Sequence, residues 1–234
     1  MSSASGAIGG ETDTFVSHLL SVLALASAQR PISQAAVDHI TTSQQDNGSW
    51  AWDGSAETAG DTNTTGFAVQ ALVAAGESGD SSSVRSALDY LLGIQNEDGG
   101  WPYQNPSDYG TDTDANSTAV VIQALIAAGQ DPTGSDWTRV EGNTPVSALE
   151  ALQNASGAFA WQAALPDDNL LATVQALPAL AGKAFPWATM DVGEPAAAPL
   201  TTPETGGAAA NLPMLLVLSG LALLGGSYSL RRQR

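Results

Sequence analysis

Cysteine is absent from this chain of 234 residues, which excludes disulfides, thiolate metal ligands and thiol nucleophiles together. Cations are almost as scarce: seven Lys and Arg stand against 24 Asp and Glu, for a net charge of −17. Three of the cations are Arg231, Arg232 and Arg234, so the rest of the chain holds only Arg30, Arg85, Arg139 and Lys183. So acidic a body repels nucleic acid phosphates and anionic lipid surfaces, and nucleic acid is excluded as a partner. Histidine is limited to His18 and His39, which share no metal-binding spacing and read as helix-face residues. No segment alternates apolar and polar residues as a half-buried strand does, so the expectation is an all-α body.

What the chain does have is a repeated corner. A Gln is followed four residues on by Gly and six on by an aromatic at Gln44, Gly48 and Trp50, at Gln95, Gly99 and Trp101, and at Gln153, Gly157 and Phe159. A second ring comes two residues later, at Trp52, Tyr103 and Trp161. The copies lie near 39–50, 90–101 and 148–159, spaced by 51 and then 58 residues, which is the period of a structural repeat.

Around these corners the periodicity predicts about seven helices: 14–28, 33–44, 64–76, 83–95, 117–129, 146–154 and 168–181. Ala68, Ala71, Leu72 and Ala75 fall at i, i+3, i+4 and i+7, and Val121, Ala124, Leu125 and Ala128 repeat that stripe. Thr173, Ala176, Leu177 and Leu180 follow it a third time, with Pro178 placed to kink or shorten the helix. Gln70, Gln123 and Gln175 each precede an Ala-Leu pair, and Gly76, Gly129 and Gly182 stand where helix C-caps are expected.

Tyr90, Leu91, Gln95, Gly99 and Trp101 together resemble the QW motif of the squalene cyclase and prenyltransferase repeat superfamily. The first copy has His39 at the leading aromatic position, and the third has Ala148 there and Phe159 for Trp. The resemblance covers roughly 10–185 and implies an α/α toroid of inner and outer helices around a central cavity. About seven helices make a partial ring, so either an amino-terminal half is missing or another copy completes it. The motif is structural in that superfamily, its Gln serving backbone groups at a helix end while the ring packs over it. Exposed rings at Trp52 and Trp161 would line a ligand surface.

Class II terpene cyclases of the same superfamily protonate their substrate with the middle acid of an Asp-x-Asp-Asp-Thr-Ala segment. The matching stretch here is Asp114-Ala115-Asn116-Ser117-Thr118-Ala119, with an amide and a hydroxyl in place of the two central acids. An amide donates no such proton, so that mechanism is expected to be lost. The earlier Asp61-Thr62-Asn63-Thr64-Thr65 has the same form. Helix N-capping is the first reading of both. The second is a polar rim of Asp61, Asn63, Asp114 and Asn116 around a ligand cavity, and the third is catalysis with Asp112 or Asp114 as the acid. The absence of Cys removes the zinc site of protein prenyltransferases, and Asp167-Asp168 lacks the third carboxylate of a class I magnesium site. Repeated Asp-Thr segments opening Ala/Leu helices also resemble the α-domain of the transcobalamin family, which makes cobalamin a candidate ligand beside isoprenoids.

The domain reading is a repeat body over 1–184, a Pro/Ala/Thr linker over 185–211, an apolar run from Leu212 to Leu230 and a basic tail over 231–234. An uncharged run of 19 residues followed by Arg231 and Arg232 predicts a transmembrane helix with a cytoplasmic tail and an extracellular body. Upstream, Thr202-Pro203-Glu204-Thr205-Gly206 resembles a Gram-positive sorting signal with Thr202 at the usual Leu, or else is linker composition. As a sorting signal it implies cleavage by sortase between Thr205 and Gly206 at a bacterial cell surface. Val16–Ala28 lies behind Glu11 and Asp13 and reads as a repeat helix rather than a signal peptide, placing the native start upstream. The functional expectation is a surface-anchored, non-catalytic binder of an apolar or amphipathic small molecule. The alternative is a cyclase or prenyltransferase-like enzyme whose catalytic half lies in missing upstream sequence.

Overall fold

Long buried helices alternate with shorter half-exposed ones in the computed structural model, which describes residues 6, 8, 14–108 and 110–186. Among the described residues seven α-helices follow in order: α1 (Phe15–Ser27), α2 (Gln34–Thr42), α3 (Thr62–Ala74), α4 (Ser82–Ile94), α5 (Ala115–Ala127), α6 (Pro145–Glu150) and α7 (Leu170–Leu180). They belong to a unit spanning Met1–Asp191, and a second unit, Val192–Arg234, lies outside the described residues. The expected Leu212–Leu230 span, the sorting-like segment and the basic tail therefore also lie outside them. Among the described residues no helix is long and apolar enough to cross a membrane.

The helices form two layers. α1, α3, α5 and α7 pack in a row, each against the next, while α2 and α4 cover α3 and α6 covers α5. Phe67 to Leu72 in α3 and Ala119 to Leu125 in α5 are buried without a break, so these two helices meet protein on every side. Small residues permit the close approach: a Cβ on Gly66 of α3 would lie 2.7 Å from Val120 Cγ1 of α5.

The ends of the row repeat the same chemistry. Thr14, Asp61, Asp114 and Asn169 each N-cap an inner helix through a side-chain oxygen. At the other end Gly76, Gly129 and Gly182 adopt φ of +101°, +75° and +65°. The residue after each of these glycines donates back to Leu72, Leu125 or Pro178. In α1 that left-handed position is held by Gln29 at φ +53°, with Arg30 N–H donating to Leu25 O at 2.9 Å. Gln29→Gly is expected to stabilise the protein by about 0.5–1 kcal/mol, seen as a higher urea midpoint at unchanged m-value.

Two expectations are corrected. The body is not all-α: β1 (Phe159–Gln162) and β2 (Leu165–Asn169) form an antiparallel hairpin pairing Phe159 with Asn169 and Ala160 with Asp168. Leu165 to Asp168 are exposed throughout, so neither face of β2 is buried and no alternating pattern is written into it. The hairpin also delays α7, which starts at Leu170 rather than 168.

The third apolar stripe is displaced by three residues. Counted from the N-cap, Ala176, Ala179 and Leu180 correspond to Ala68, Ala71 and Leu72, and Thr173 corresponds to Thr65. Leu177, taken from its sequence spacing as a core residue, is 58% exposed, whereas Leu72 and Leu125 are fully buried. Pro178 sits in the last turn, and α7 runs 11 residues against 13 for α3 and α5.

Candidate functional site

The repeated corners converge on the N-terminal ends of the inner helices. Each begins with its Gln. Gln44 Nε2 donates to Gly48 O at 2.9 Å and across to Ser83 O at 2.8 Å. Gln95 Nε2 donates to Gly99 O at 2.7 Å and to Trp137 O at 2.9 Å. Gln153 Nε2 closes its own turn on Gly157 O at 3.0 Å. The rings then seal the corner. Trp50 Nε1 donates to Ile40 O and Trp101 Nε1 to Leu91 O, both at 2.7 Å, and Trp50, Trp101 and Phe159 are fully buried.

A threonine one turn inside each inner helix completes the joint. The backbone N–H of Trp50 donates to Thr65 Oγ1, that of Trp101 to Thr118 Oγ1 and that of Phe159 to Thr173 Oγ1, at 3.1, 3.0 and 2.9 Å. The sequence reading passed over this role. Its signal was available: each Thr follows its N-cap residue by four, at Asp61, Asp114 and Asn169.

Asp61 and Asp114 are buried caps. Asp61 accepts from Thr64 N–H and Thr64 Oγ1, both at 2.7 Å. Asp114 accepts from Ser117 N–H at 2.7 Å and Ser117 Oγ at 2.8 Å. Burial raises both carboxylates to about 6, only partly opposed by these hydrogen bonds.

Tyr103 joins the two caps. Its hydroxyl turns toward Asp61 and its backbone N–H toward Asp114, while its carbonyl accepts from Thr62 N–H at 2.9 Å. Tyr90 approaches from α4 and donates to Gly60 O at 3.2 Å. Burial, and then the Asp61 charge, push both phenols above their ordinary range. Tyr103 was recognised in the sequence as a second ring but not as a member of the site.

The remaining expected residues scatter. Asn116 Nδ2 donates to Gln175 Oε1, tying α5 to α7. Asn63 Oδ1 is buried and meets no hydrogen-bond partner. Trp52 is 48% exposed and Tyr103 43%, whereas Trp161 is half-buried in β1. Asp112 is exposed, on the loop before α5. His18 and His39 do meet, ring centroids 4.8 Å apart and edge to face, but the described residues hold no cluster of three or more metal-ligating side chains. A shallow groove of about 390 Å³ runs along the other face of α4, past Arg85, Leu88, Leu92 and Trp137, and takes in none of the expected site residues.

The raised carboxylates set a pH dependence. A folded value of about 6 above the ordinary 3.8 gives a contribution to stability that is full below 3.8 and lost as pH rises through 6. The difference is about 3 kcal/mol per group. His18, whose burial lowers its value from 6.5, acts oppositely, and its contribution fades as pH falls below 6.5. Asp114→Asn keeps a capping oxygen, as Asn169 does naturally. It is therefore expected to gain stability relative to wild type at pH 8 and lose that advantage by pH 4, read from urea midpoints at the two pH values.

The chain matches the family model described as the squalene-hopene cyclase C-terminal domain over residues 6–165. No curated protein matches it. Among solved structures it is similar to a protein from Actinoplanes, at 20% identity and a TM-score of 0.42, over 78% of this chain and 70% of that one.

Proposed function

The chain belongs to the squalene-hopene cyclase C-terminal domain family, and within it we propose a non-catalytic binder of an apolar or amphipathic small molecule. The observation that carries this reading is Asn63 Oδ1, a buried acceptor with no partner beside the capped end of α3. A ligand hydroxyl or amide donor there would satisfy it, while the exposed rings of Trp52 and Tyr103 offer apolar contact. The corrinoid and isoprenoid classes both combine a broad apolar surface with a few polar groups. The toroidal cavity, a membrane-anchored position on a bacterial surface and processing by sortase belong to the same reading, carried by the sequence alone.

The surroundings of the residues that stand where the cyclase acids would be support binding over catalysis. Asn116 stands at the position of the protonating acid and its amide is engaged by Gln175. Asp114 is enclosed by its own helix turn and is 2% exposed, out of reach of a bound alkene. Titrating the protein with cobalamin and with farnesol, followed by calorimetry, is expected to give saturable binding of one of them. Trp52→Ala is expected to weaken it by at least about tenfold. No heat of binding from either class would remove the proposal.

A further inference from the structure

Two buried glutamines on the inner helices hold main chain rather than side chain. Beyond α7 the backbone turns at Gly182 and runs back across the row, from α7 past α5 to α3. Gln123 of α5 donates from Nε2 to Lys183 O at 3.2 Å. Gln70 of α3 accepts at Oε1 from Phe185 N–H at 2.9 Å, and its own Nε2 is occupied by Gly66 O at 3.2 Å. The Phe185 ring lies 6.4 Å from that of Phe67, on α3 beside Gln70. Gln70 is fully buried and Gln123 is 2% exposed.

The spacing explains why this works. Neighbouring packed helices stand about 8–10 Å apart, and two extended residues advance about 7 Å. A strand-like segment laid across the row thus presents a carbonyl to one helix and, two residues later, an N–H to the next. Gln70 and Gln123 occupy the same place, nine residues beyond the Asp61 and Asp114 caps. The corresponding place in α7 is Pro178, whose carbonyl accepts from Lys183 N–H at 2.9 Å and so starts the crossing. The glutamine contacts are to backbone groups, a carbonyl that every residue carries and an N–H that every residue but proline carries, and the Phe185 ring lies against Phe67.

We propose that α3 and α5 form a binding site for an extended peptide backbone, read by Gln70 and Gln123, and that Lys183–Phe185 of the same chain is its occupant. The site is separate from the capped helix ends, and the proposal does not rest on the small-molecule reading. Any peptide that enters the face must displace this strap, which is tethered to α7 and holds the advantage of high local concentration.

The test is amide hydrogen exchange resolved by NMR on the full chain. The Phe185 amide is expected to exchange at least about tenfold more slowly than in a synthetic peptide of residues 181–186, the protection one buried hydrogen bond confers. Gln70→Met, close in volume but without the amide acceptor, is expected to abolish that protection while leaving the Trp101 indole N–H protected. Phe185→Pro removes the N–H and the ring of the strap together and leaves α3 and α5 as they are. It is expected to create saturable binding of the labelled wild-type peptide in trans, which wild-type protein lacks. A Phe185 amide protected less than tenfold, or equally protected in Gln70→Met, would overturn the proposal. Should Gln70→Met fail to fold, the Phe185→Pro variant decides, and failure of that variant to take up the peptide overturns it.

Discussion

Replacing Gly48 with alanine is expected to destabilise the protein by about 3–5 kcal/mol, whereas the same change at Gly157 is expected to cost only about 1–2 kcal/mol. Both glycines have φ of +88°, so both pay the left-handed penalty of a Cβ. The difference lies in what the methyl meets. At Gly48 it would stand 2.1 Å from Ser86 O, part of the α4 backbone, and the corner can accept it only by shifting that helix. At Gly157 nothing lies within 4 Å. Gly99 belongs with Gly48, since its Cβ would come within 2.6 Å of Thr144 O at the cap of α6. Urea unfolding of Gly48→Ala, Gly99→Ala and Gly157→Ala under one set of conditions separates the two contributions. Equal losses at all three would show that backbone conformation, and not the approach of the following helix, fixes these glycines.

Trp101→Ala is expected to cost about 3–5 kcal/mol, and a fall in Tm of about 10–15 °C, from the lost ring and the cavity it leaves. The ring is fully buried among Leu91, Val121 and Leu125 and lies 6.1 Å from Trp137. Its N–H is also the partner of Leu91 O near the end of α4, a carbonyl the helix itself leaves unpaired. Trp101→Phe separates these roles. It keeps most of the packing, removes the donor and is expected to cost about 1–2 kcal/mol. The third repeat already lives with that arrangement at Phe159, which is fully buried and has no N–H to give. A Trp101→Phe loss as large as that of Trp101→Ala would assign the residue's importance to the hydrogen bond rather than to the ring.

Much of the fold was legible because its signals are local. Each expected helix is present, and the glycines at 76, 129 and 182 close three of them, because a left-handed C-terminal turn announces itself in one residue. The Gln, Gly and aromatic residues were legible as a period. What they hold was not, since Ser83 O and Trp137 O are backbone atoms some forty residues away. The hairpin was missed because an exposed strand carries no burial pattern. The stripe of α7 was misplaced because Ala-Leu occurs twice, at 176–177 and 179–180, and only the N-cap at Asn169 decides between them.

The candidate site was half visible. Asp61 and Asp114 stood out as acids, and their form as cap residues was readable, but the burial that raises their proton affinity, against the hydrogen bonds of Tyr103 and of their own helix turns, was not. Tyr103 contributes through its backbone as much as through its ring, and backbone roles leave no mark on residue choice. The strap at Lys183–Phe185 was invisible for the same reason. Its two hydrogen bonds to the glutamines are made by main-chain atoms, at the border between the repeat body and the expected linker over 185–211.

Gln44 and Gln95 each spend one hydrogen bond on their own loop and one on the next module, while Gln153 makes its bond at home. The stack is therefore stitched forward from corner to corner as far as the third. There the stitching reverses direction: α7 takes its hold from behind, through Asn116 and through the crossing of Lys183 and Phe185 over Gln123 and Gln70.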